Sequence, residues 1–283
     1  MDLVVFRPLI KPPLLKNTIL LLLLSSSILL SAQETNDSSN FRVGIFAGYY
    51  ISGNSTAMYY NGSDNNRLLN YMGVPQVETQ IRESLNTDNF ELAEYAQDMR
   101  YNNAAAFELQ ASYLFGKNWN ISLRFHSVNL EASSIFTLRV DPKNQGNPQT
   151  LDPYLENVQI SGKESRSHIG LGVGKEFFFD NNVFVLTEAG FELNFVKVEE
   201  NKMLIAQRTF ALPLYTNVLN QQATPTATIG TGIYLAMGSG IRFDNGLEFI
   251  LKATYINTKI NLNDAVEDRL NMFIPSVGFT KVF

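Results

Sequence analysis

The strongest constraint on the fold is an alternation of apolar side chains with polar or small ones that recurs in eight segments of the chain. The segments span residues 41–51, 107–115, 119–126, 169–177, 185–195, 232–243, 247–255 and 273–283. Successive side chains of a strand point to opposite faces, so each segment predicts one apolar face and one polar or glycine-rich face. A soluble β-sandwich would place Lys, Glu and Thr on its polar face, whereas glycine suits the crowded interior of a narrow barrel. We therefore predict an all-β fold: an eight-stranded antiparallel up-and-down transmembrane β-barrel.

Short and long connections alternate between these segments. The short ones are made of turn-forming residues and lie at 116–118, 180–182 and 244–246, and the long ones span about 52–103, 130–167, 197–228 and 257–270. Outer-membrane barrels have short periplasmic turns and long external loops. An even strand number then places both termini in the periplasm. Ten strands are the alternative, with 135–140 and 158–161 as an additional pair. We favour the interpretation that these residues extend the hairpin that joins the third and fourth strands on the external side.

The amino-terminal residues predict a secretory signal peptide at 1–32. Three basic residues precede an apolar run at 18–30, and Ser31 and Ala32 follow it; the basic residues are Arg7, Lys11 and Lys16. The run is shorter than the roughly 20 residues that cross a bilayer as a helix. The mature chain, 33–283, is then one barrel domain. The chain has no cysteine, which excludes disulfides and a thioether-linked lipid anchor.

The carboxyl-terminal strand, FIPSVGFTKVF, alternates to its last residue, the aromatic Phe283. It resembles the closing strand of bacterial outer-membrane barrels, which implies that Phe283 is an assembly signal read by the outer-membrane assembly machinery. With the turns FGKNW, FDNN and FDNG, the whole chain resembles small outer-membrane barrels of the OmpA and OmpX type, and most closely the PorT-like barrels of Bacteroidota-type bacteria. This resemblance implies an accessory part in secretion or assembly at the outer membrane.

Charged residues occupy the inner face of several predicted strands. Counted from the periplasmic end, Gln110, Arg124, Glu188 and Lys252 fall at about the same height, with Glu108, His126 and Glu192 just above them. Buried charges must be paired, so these residues predict a structural network that fills the lumen. The alternative is a narrow polar path for ions or small solutes. Arg242 and Glu248 face each other across the last tight turn and predict an ion pair at the periplasmic mouth.

The two histidines, His126 and His168, lie near the outer ends of the third and fourth strands, where close approach of their side chains would make a metal site or a catalytic pair. Two ligands without a clustered third carboxylate or cysteine argue against a metal site. Known barrel enzymes of the membrane use a His with a nearby Ser, but His126 and Ser127 are adjacent and should point to opposite faces, which leaves a Ser of another strand as the alternative. We therefore expect no metal, no cofactor and no catalytic residue.

The first external loop, about 52–103, changes its apolar period from two to about 3.6 at residues 75–100. Two apolar stripes predict a pair of short helices: Val77, Ile81 and Leu85 in the first, and Leu92, Tyr95 or Ala96, and Met99 in the second. Asp88 and Glu91 predict the capped start of the second helix. The pair would either pack on the barrel rim or act as an acidic docking surface or lid.

The overall charge of −5 becomes more negative when the leader is removed, so nucleic acid is not an expected partner. The expected partners are outer-membrane lipid and other envelope proteins that bind the external loops. We expect a non-enzymatic barrel that acts in surface structure, adhesion or docking to an envelope complex. A narrow transport barrel and a lipid-modifying enzyme are the alternatives.

Overall fold

The computed structural model describes residues 40–54, 56–63, 66–143, 152–179, 182–212, 215–217, 222–223, 227–263 and 266–283. The predicted signal peptide lies outside the described residues. The strands are β1 (Phe41–Ser52), β2 (Thr87–Glu94), β3 (Arg100–Tyr101), β4 (Ala104–Phe115), β5 (Trp119–Pro142), β6 (Tyr154–Phe178), β7 (Val183–Ile205), β8 (Arg208–Ala211), β9 (Tyr215–Asn217), β10 (Gln222–Ala223), β11 (Ala227–Arg242), β12 (Leu247–Asn263) and β13 (Val266–Val282). A 3-10 helix spans Ala57–Asn61, and the α-helices are α1 (Arg67–Met72) and α2 (Pro75–Leu85).

Eight of the strands form a closed antiparallel ring. The order around the ring is β1, β4, β5, β6, β7, β11, β12 and β13, and β13 pairs again with β1. At the closing seam, the Phe283 amide donates to the Phe41 carbonyl at 2.7 Å. Each of the eight predicted segments lies in one ring strand, which confirms the predicted barrel. Closure pairs the strand edges around the wall, as a barrel in lipid requires.

The two ends of the barrel differ in their connections. At one end, here called the turn end, lie both termini of the ring and the tight turns after β4, β6 and β11. At the opposite end, the loop end, β5, β6 and β7 run far past the other strands and pair with each other throughout. Residues 135–140 and 158–161 belong to this extended hairpin, so the ten-strand alternative is wrong. Much of the chain predicted as long loops is therefore strand.

The first long connection contains more structure than predicted. Helix α2 includes the first predicted apolar stripe, with Ile81 buried. The second predicted helix is wrong, because residues 87–94 form β2 and pair with the extended part of β5. An unpaired edge of β5 offers a row of backbone hydrogen bonds to this segment, and those bonds favour the extended conformation. Among the described residues, no helix is long and apolar enough to cross a membrane.

Above the ring lies a compact region that we call the loop-end lobe. It consists of residues 56–63 and 66–101 together with β8 and the extended parts of β5, β6 and β7. Its apolar core includes Leu68, Met72, Ile81, Phe136, Leu138, Ile160 and Phe210. The outward side chains of the extended strands are mostly polar, and most of the inward ones are apolar. The alternation of the strands thus continues beyond the ring with its polarity reversed, and the inward apolar side gives the lobe a core like that of a soluble domain.

Candidate functional site

The lumen of the ring is filled by three groups of charged side chains. The first group lies at the turn end, and we call it the turn-end ring. Arg42 contacts Glu176 at 2.5 Å and Glu248 at 2.9 Å, while Arg242 contacts the same two carboxylates at 3.1 and 2.7 Å. Two cations and two anions therefore alternate around the mouth. Thr280 donates a further hydrogen bond to Glu248 at 2.5 Å.

The second group, the central layer, contains Glu188 as a shared acceptor. Its Oε1 atom accepts hydrogen bonds from Ser122 at 2.7 Å and Tyr234 at 2.5 Å, and its Oε2 atom accepts one from Gln110 at 3.1 Å. Lys252 donates to the Gln110 side-chain oxygen at 3.1 Å. A cavity of about 10 Å³ separates this layer from the turn-end ring, which is room for about one water molecule.

Two histidine–carboxylate contacts complete the central layer. His126 Nε2 lies 3.1 Å from Glu108, and His168 Nδ1 lies 2.7 Å from Glu192. The imidazole rings are cross-strand neighbours with centroids 6.1 Å apart. Arg124 contacts Glu192 at 3.2 Å, and Lys252 contacts Glu108 at 2.5 Å.

The central layer contains buried groups of both charge signs. Three carboxylates, those of Glu108, Glu188 and Glu192, face the two permanent cations, those of Arg124 and Lys252. Within the described part of the chain, no group of three or more His, Asp or Glu side chains is arranged to hold a metal ion.

Glycine makes room for the large side chains that cross the lumen. The Arg124 guanidinium lies 3.5 Å from the centre of the Tyr234 ring. A Cβ atom at Gly172 would lie 2.0 Å from the Tyr234 hydroxyl and 2.8 Å from the Ala189 carbonyl oxygen. The glycine-rich inner face of β6 is therefore the space that the Tyr234 side chain fills.

The third group, the loop-end layer, joins the lobe to the barrel. Glu164 and Arg166 are completely buried and paired with each other. Tyr60 and Tyr101 both donate hydrogen bonds to Glu164 Oε2, at 2.6 and 2.9 Å. Burial, followed by the charge of Glu164, raises the pKa of both phenols well above the usual value, so they remain donors at alkaline pH.

Arg166 extends the loop-end layer toward the ring. It donates to the Tyr50 hydroxyl and to Thr56, both at 3.0 Å. The Tyr60 ring lies against the backbone of Gly162, where a Cβ atom would come within 2.0 Å of it. Thus the first long connection is fastened inside the barrel mouth by an ion pair, two phenols and a glycine contact. This layer was not predicted, because residues 130–167 were assigned to an external loop. The alternation that places Gly162, Glu164, Arg166 and His168 on the inner face is the sequence signal that indicates it.

The structure brings the predicted lumen residues together. Glu108, Gln110, Arg124, His126, Glu188, Glu192 and Lys252 all belong to the central layer, and Arg242 and Glu248 are cross-strand partners in the turn-end ring. Glu176 and Arg42, which complete that ring, were not predicted. Ser127 is exposed on the face opposite His126, as expected from their adjacency.

The outer surface of the ring is apolar. Exposed large apolar side chains cover every ring strand; examples are Ile45, Leu109, Leu123, Leu171, Phe191, Leu235, Leu251 and Phe279. Charged groups lie inside the ring and apolar groups outside it, which is the reverse of a soluble protein and matches a barrel surrounded by lipid. The fold, the apolar outer surface and the filled lumen define a small β-barrel of the outer-membrane class.

No protein-family model matches the sequence, and no curated protein matches it either. Among solved structures, the chain is similar to Neisserial surface protein A (NspA), with 11% identity, a TM-score of 0.44 and coverage of 88% of this chain and 100% of the other. It is also similar to OprG from Pseudomonas aeruginosa, with 10% identity, a TM-score of 0.39 and coverage of 88% and 97%. A third similar structure is Ail of Yersinia pestis in complex with the heparin analogue sucrose octasulfate. It is 12% identical to this chain, with a TM-score of 0.36 and coverage of 85% of this chain and 99% of the other. At these values, nothing about the activity of this chain follows from the three similarities.

Proposed function

We propose that this protein is a non-enzymatic barrel of the bacterial outer membrane that displays the loop-end lobe as a binding surface for another component of the cell envelope. In this proposal the turn end and both termini face the periplasm, and the lobe projects from the cell. Surface structure, adhesion and docking to a secretion or assembly complex are the forms that such a role can take. The proposal follows the resemblance to small outer-membrane barrels seen in the sequence.

The observation that supports this proposal is the way the lobe is fastened. A connection that only closes the chain needs a few residues, yet residues 56–63 and 66–101 form a 3-10 helix, two α-helices and two strands over a shared apolar core. The lobe is further held by the buried Glu164–Arg166 pair and by both Tyr60 and Tyr101. Long ordered segments of this kind usually have a function of their own. A lobe held in one arrangement presents a preorganised surface, which lowers the entropic cost of binding.

The filled lumen argues against the transport alternative. A solute that crossed the barrel would have to disrupt the turn-end ring, the central layer and the loop-end layer in turn. Each contains buried ion pairs whose separation is costly. An eight-stranded ring has an interior just wide enough for its own side chains. A lipid-modifying enzyme would need reactive groups that reach the lipid, whereas His126 and His168 are both buried in the lumen.

Site-specific photocrosslinking in intact cells tests the proposal. A photoreactive amino acid is placed at Leu69 or Glu83, which are exposed on the lobe. The matched control positions are Lys117 and Asp244, which are exposed in the tight turns. We expect one adduct of defined mass from both lobe positions and from neither control, followed by its identification by mass spectrometry. Folding of each variant is checked by its heat-dependent gel mobility.

A charge variant of the lobe separates recognition from chance proximity. Glu78→Gln combined with Glu83→Gln changes the acidic side of α2 and leaves its buried residue, Ile81, in place. Loss of the adduct from the probe at Leu69 in this variant, with an unchanged barrel, would support recognition by the lobe surface. Adducts only at Lys117 or Asp244, or no adduct at either lobe position, would contradict the proposed function.

A further inference from the structure

The β12–β13 hairpin carries three successive pairs of outward side chains at the loop-end limit of the apolar surface. Tyr255 and Phe273 are cross-strand partners and are both exposed. The next outward pair is Asn257 and Asn271, and the Tyr255 hydroxyl donates to the Asn271 side chain at 2.9 Å. Lys259 and Arg269 form the third pair and are exposed. Along this hairpin the outer surface therefore changes from aromatic to amide to cationic.

The cationic pair lies within side-chain reach of the headgroup layer of a lipid leaflet. Lys259 follows Tyr255 by four residues, which is about 13 Å along a strand, and a strand tilt of about 45° makes this about 9 Å along the barrel axis. The polar headgroup region of one leaflet is roughly 5–7 Å thick. Aromatic side chains mark the interface, and the long side chains of Lys and Arg can bend back toward it. Both cations can therefore reach the phosphate level of the surrounding leaflet.

No pair of opposed cations occupies the corresponding position on the β5–β6 hairpin. On the β5–β6 hairpin the corresponding outward pairs are Phe125 with Ile169, Ser127 with Ser167, and Asn129 with Ser165, so the third pair is neutral. The whole chain is acidic, with a net charge of −5, so general basicity does not explain two cations in register.

We propose that Lys259 and Arg269 form a binding site for the phosphate group of a lipid headgroup in the leaflet around the loop end. The Arg guanidinium binds two phosphate oxygens, the Lys ammonium neutralises the remaining charge, and Asn257 and Asn271 supply amide groups just below. Tyr255 and Phe273 contact the start of the acyl chains. Each cation also has an interaction within the chain, which a long side chain can keep while it binds an additional anion.

The expected ligand is the phosphate of lipid A, because the loop end faces the outer leaflet in the orientation that we propose above. The inference depends on that orientation for the identity of the lipid, and it does not depend on whether the lobe has a protein partner. A failed crosslinking experiment would therefore leave the lipid site intact, and a failed lipid experiment would leave the lobe proposal intact.

Native mass spectrometry of the detergent-solubilised full chain tests this site. The protein is titrated with diphosphorylated lipid A, with the same lipid after phosphatase treatment, and with phosphatidylcholine. We expect adducts of the diphosphorylated lipid at concentrations at least tenfold lower than those needed for the dephosphorylated one. Lys259→Gln combined with Arg269→Gln should abolish this difference, whereas the swap Lys259→Arg with Arg269→Lys should keep most of it. Both residues are exposed, so the barrel should still fold.

The control variant is Lys163→Gln combined with Lys202→Gln, which removes two cations from the outward face of the extended strands. This variant should bind lipid A as the wild type does. Equal loss in the control variant, or unchanged binding in the Lys259/Arg269 variant, would overturn the site. Competition by millimolar inorganic pyrophosphate that equals the effect of lipid A would also overturn it, because the site would then recognise a soluble anion rather than a lipid.

Discussion

At the scale of single residues, Gly172 sets the room available to Tyr234. We predict that Gly172→Ala destabilises the barrel by about 1–3 kcal/mol, because the added methyl group would meet the Tyr234 hydroxyl at 2.0 Å and a backbone oxygen at 2.8 Å. Urea unfolding in detergent micelles, followed by the fluorescence of Trp119, measures this free energy. Trp119 is the only tryptophan and begins β5, so its signal reports on the ring.

Gly73→Ala is the matched control for that prediction. Gly73 caps helix α1 with a negative φ of −78°, and a Cβ atom there would come no closer than 3.5 Å to its neighbours. Its effect should stay within about 0.5 kcal/mol, as for ordinary surface changes. An equal effect of the two substitutions would mean that Tyr234 does not occupy the space beside Gly172.

Glu164 gives a second prediction at the residue scale. Glu164→Gln keeps an acceptor for Tyr60 and Tyr101 but leaves the buried Arg166 without its counter-ion, a change that costs about 3–5 kcal/mol. Release of the lobe from the barrel relieves most of this cost. We therefore expect faster hydrogen–deuterium exchange across residues 56–101, with little change in the ring strands.

Two further variants test the origin of that effect. Glu164→Gln combined with Arg166→Met removes both charges and should restore part of the protection, since no buried charge is then left alone. Glu131→Gln is the surface control, because Glu131 is about half exposed and its contact with Lys163 spans 4.0 Å. Equal exchange in the wild type and Glu164→Gln would show that the ion pair does not hold the lobe.

At the scale of elements, the pairing of β2 with β5 is open to a direct test. Glu91 and Arg139 are cross-strand partners, and their side chains form an ion pair at 3.1 Å. Partners in antiparallel strands have Cα atoms about 4.5–5.5 Å apart, which suits a disulfide. We predict that Glu91→Cys with Arg139→Cys forms a disulfide under mild oxidation, detected by gel mobility with and without reductant. The chain has no other cysteine to interfere.

The control for that disulfide is Glu91→Cys with Ile135→Cys. Ile135 also points outward on β5 but lies four residues away from the partner of Glu91, or about 13 Å along the strand. This pair should remain reduced. Crosslinking of the control pair, or failure of the first pair, would contradict the β2–β5 register.

The elements also show what the sequence could predict. The ring strands follow from local alternation, because one face contacts lipid and the other contacts the lumen along the whole strand. For β2 the local pattern is ambiguous: Phe90 and Leu92 fit a period of two, while Leu92, Ala96 and Met99 fit a helix. The free edge of β5, about fifty residues later in the chain, decides between them. The secondary structure of a short segment that fits two periods can therefore be assigned only when its distant pairing partner is known.

For the lumen residues as well, the sequence predicts the face on which a side chain lies but not the partner that it contacts. Alternation places Arg124 and Glu188 on the inner face without any knowledge of neighbours. The pairing of Arg124 with Glu192, and of Lys252 with Glu108, depends on the stagger between strands, which the sequence does not contain. The loop-end layer needs one more step, since Tyr60 and Tyr101 reach Glu164 only after the lobe has folded into the mouth.

At the scale of the whole molecule, the three charged groups and the lobe act in series along the barrel axis. An ion that crosses must separate buried pairs at each height, and taking a charge out of water costs several kcal/mol even after relaxation. We predict that the purified protein gives no single-channel conductance steps in a planar lipid bilayer at either polarity. A porin inserted under the same conditions is the positive control for the measurement.

Because the barriers are in series, removal of one should not open the barrel. Changing Arg42, Glu176, Arg242 and Glu248 together to Gln removes the charges of the turn-end ring without changing the net charge. We expect this variant to remain non-conducting, since the central layer and the apolar core of the lobe still fill the bore. Conductance steps in the wild type would favour the transport alternative. Steps only in the variant would show that the turn-end ring alone closes the lumen and that the groups above it leave a continuous path.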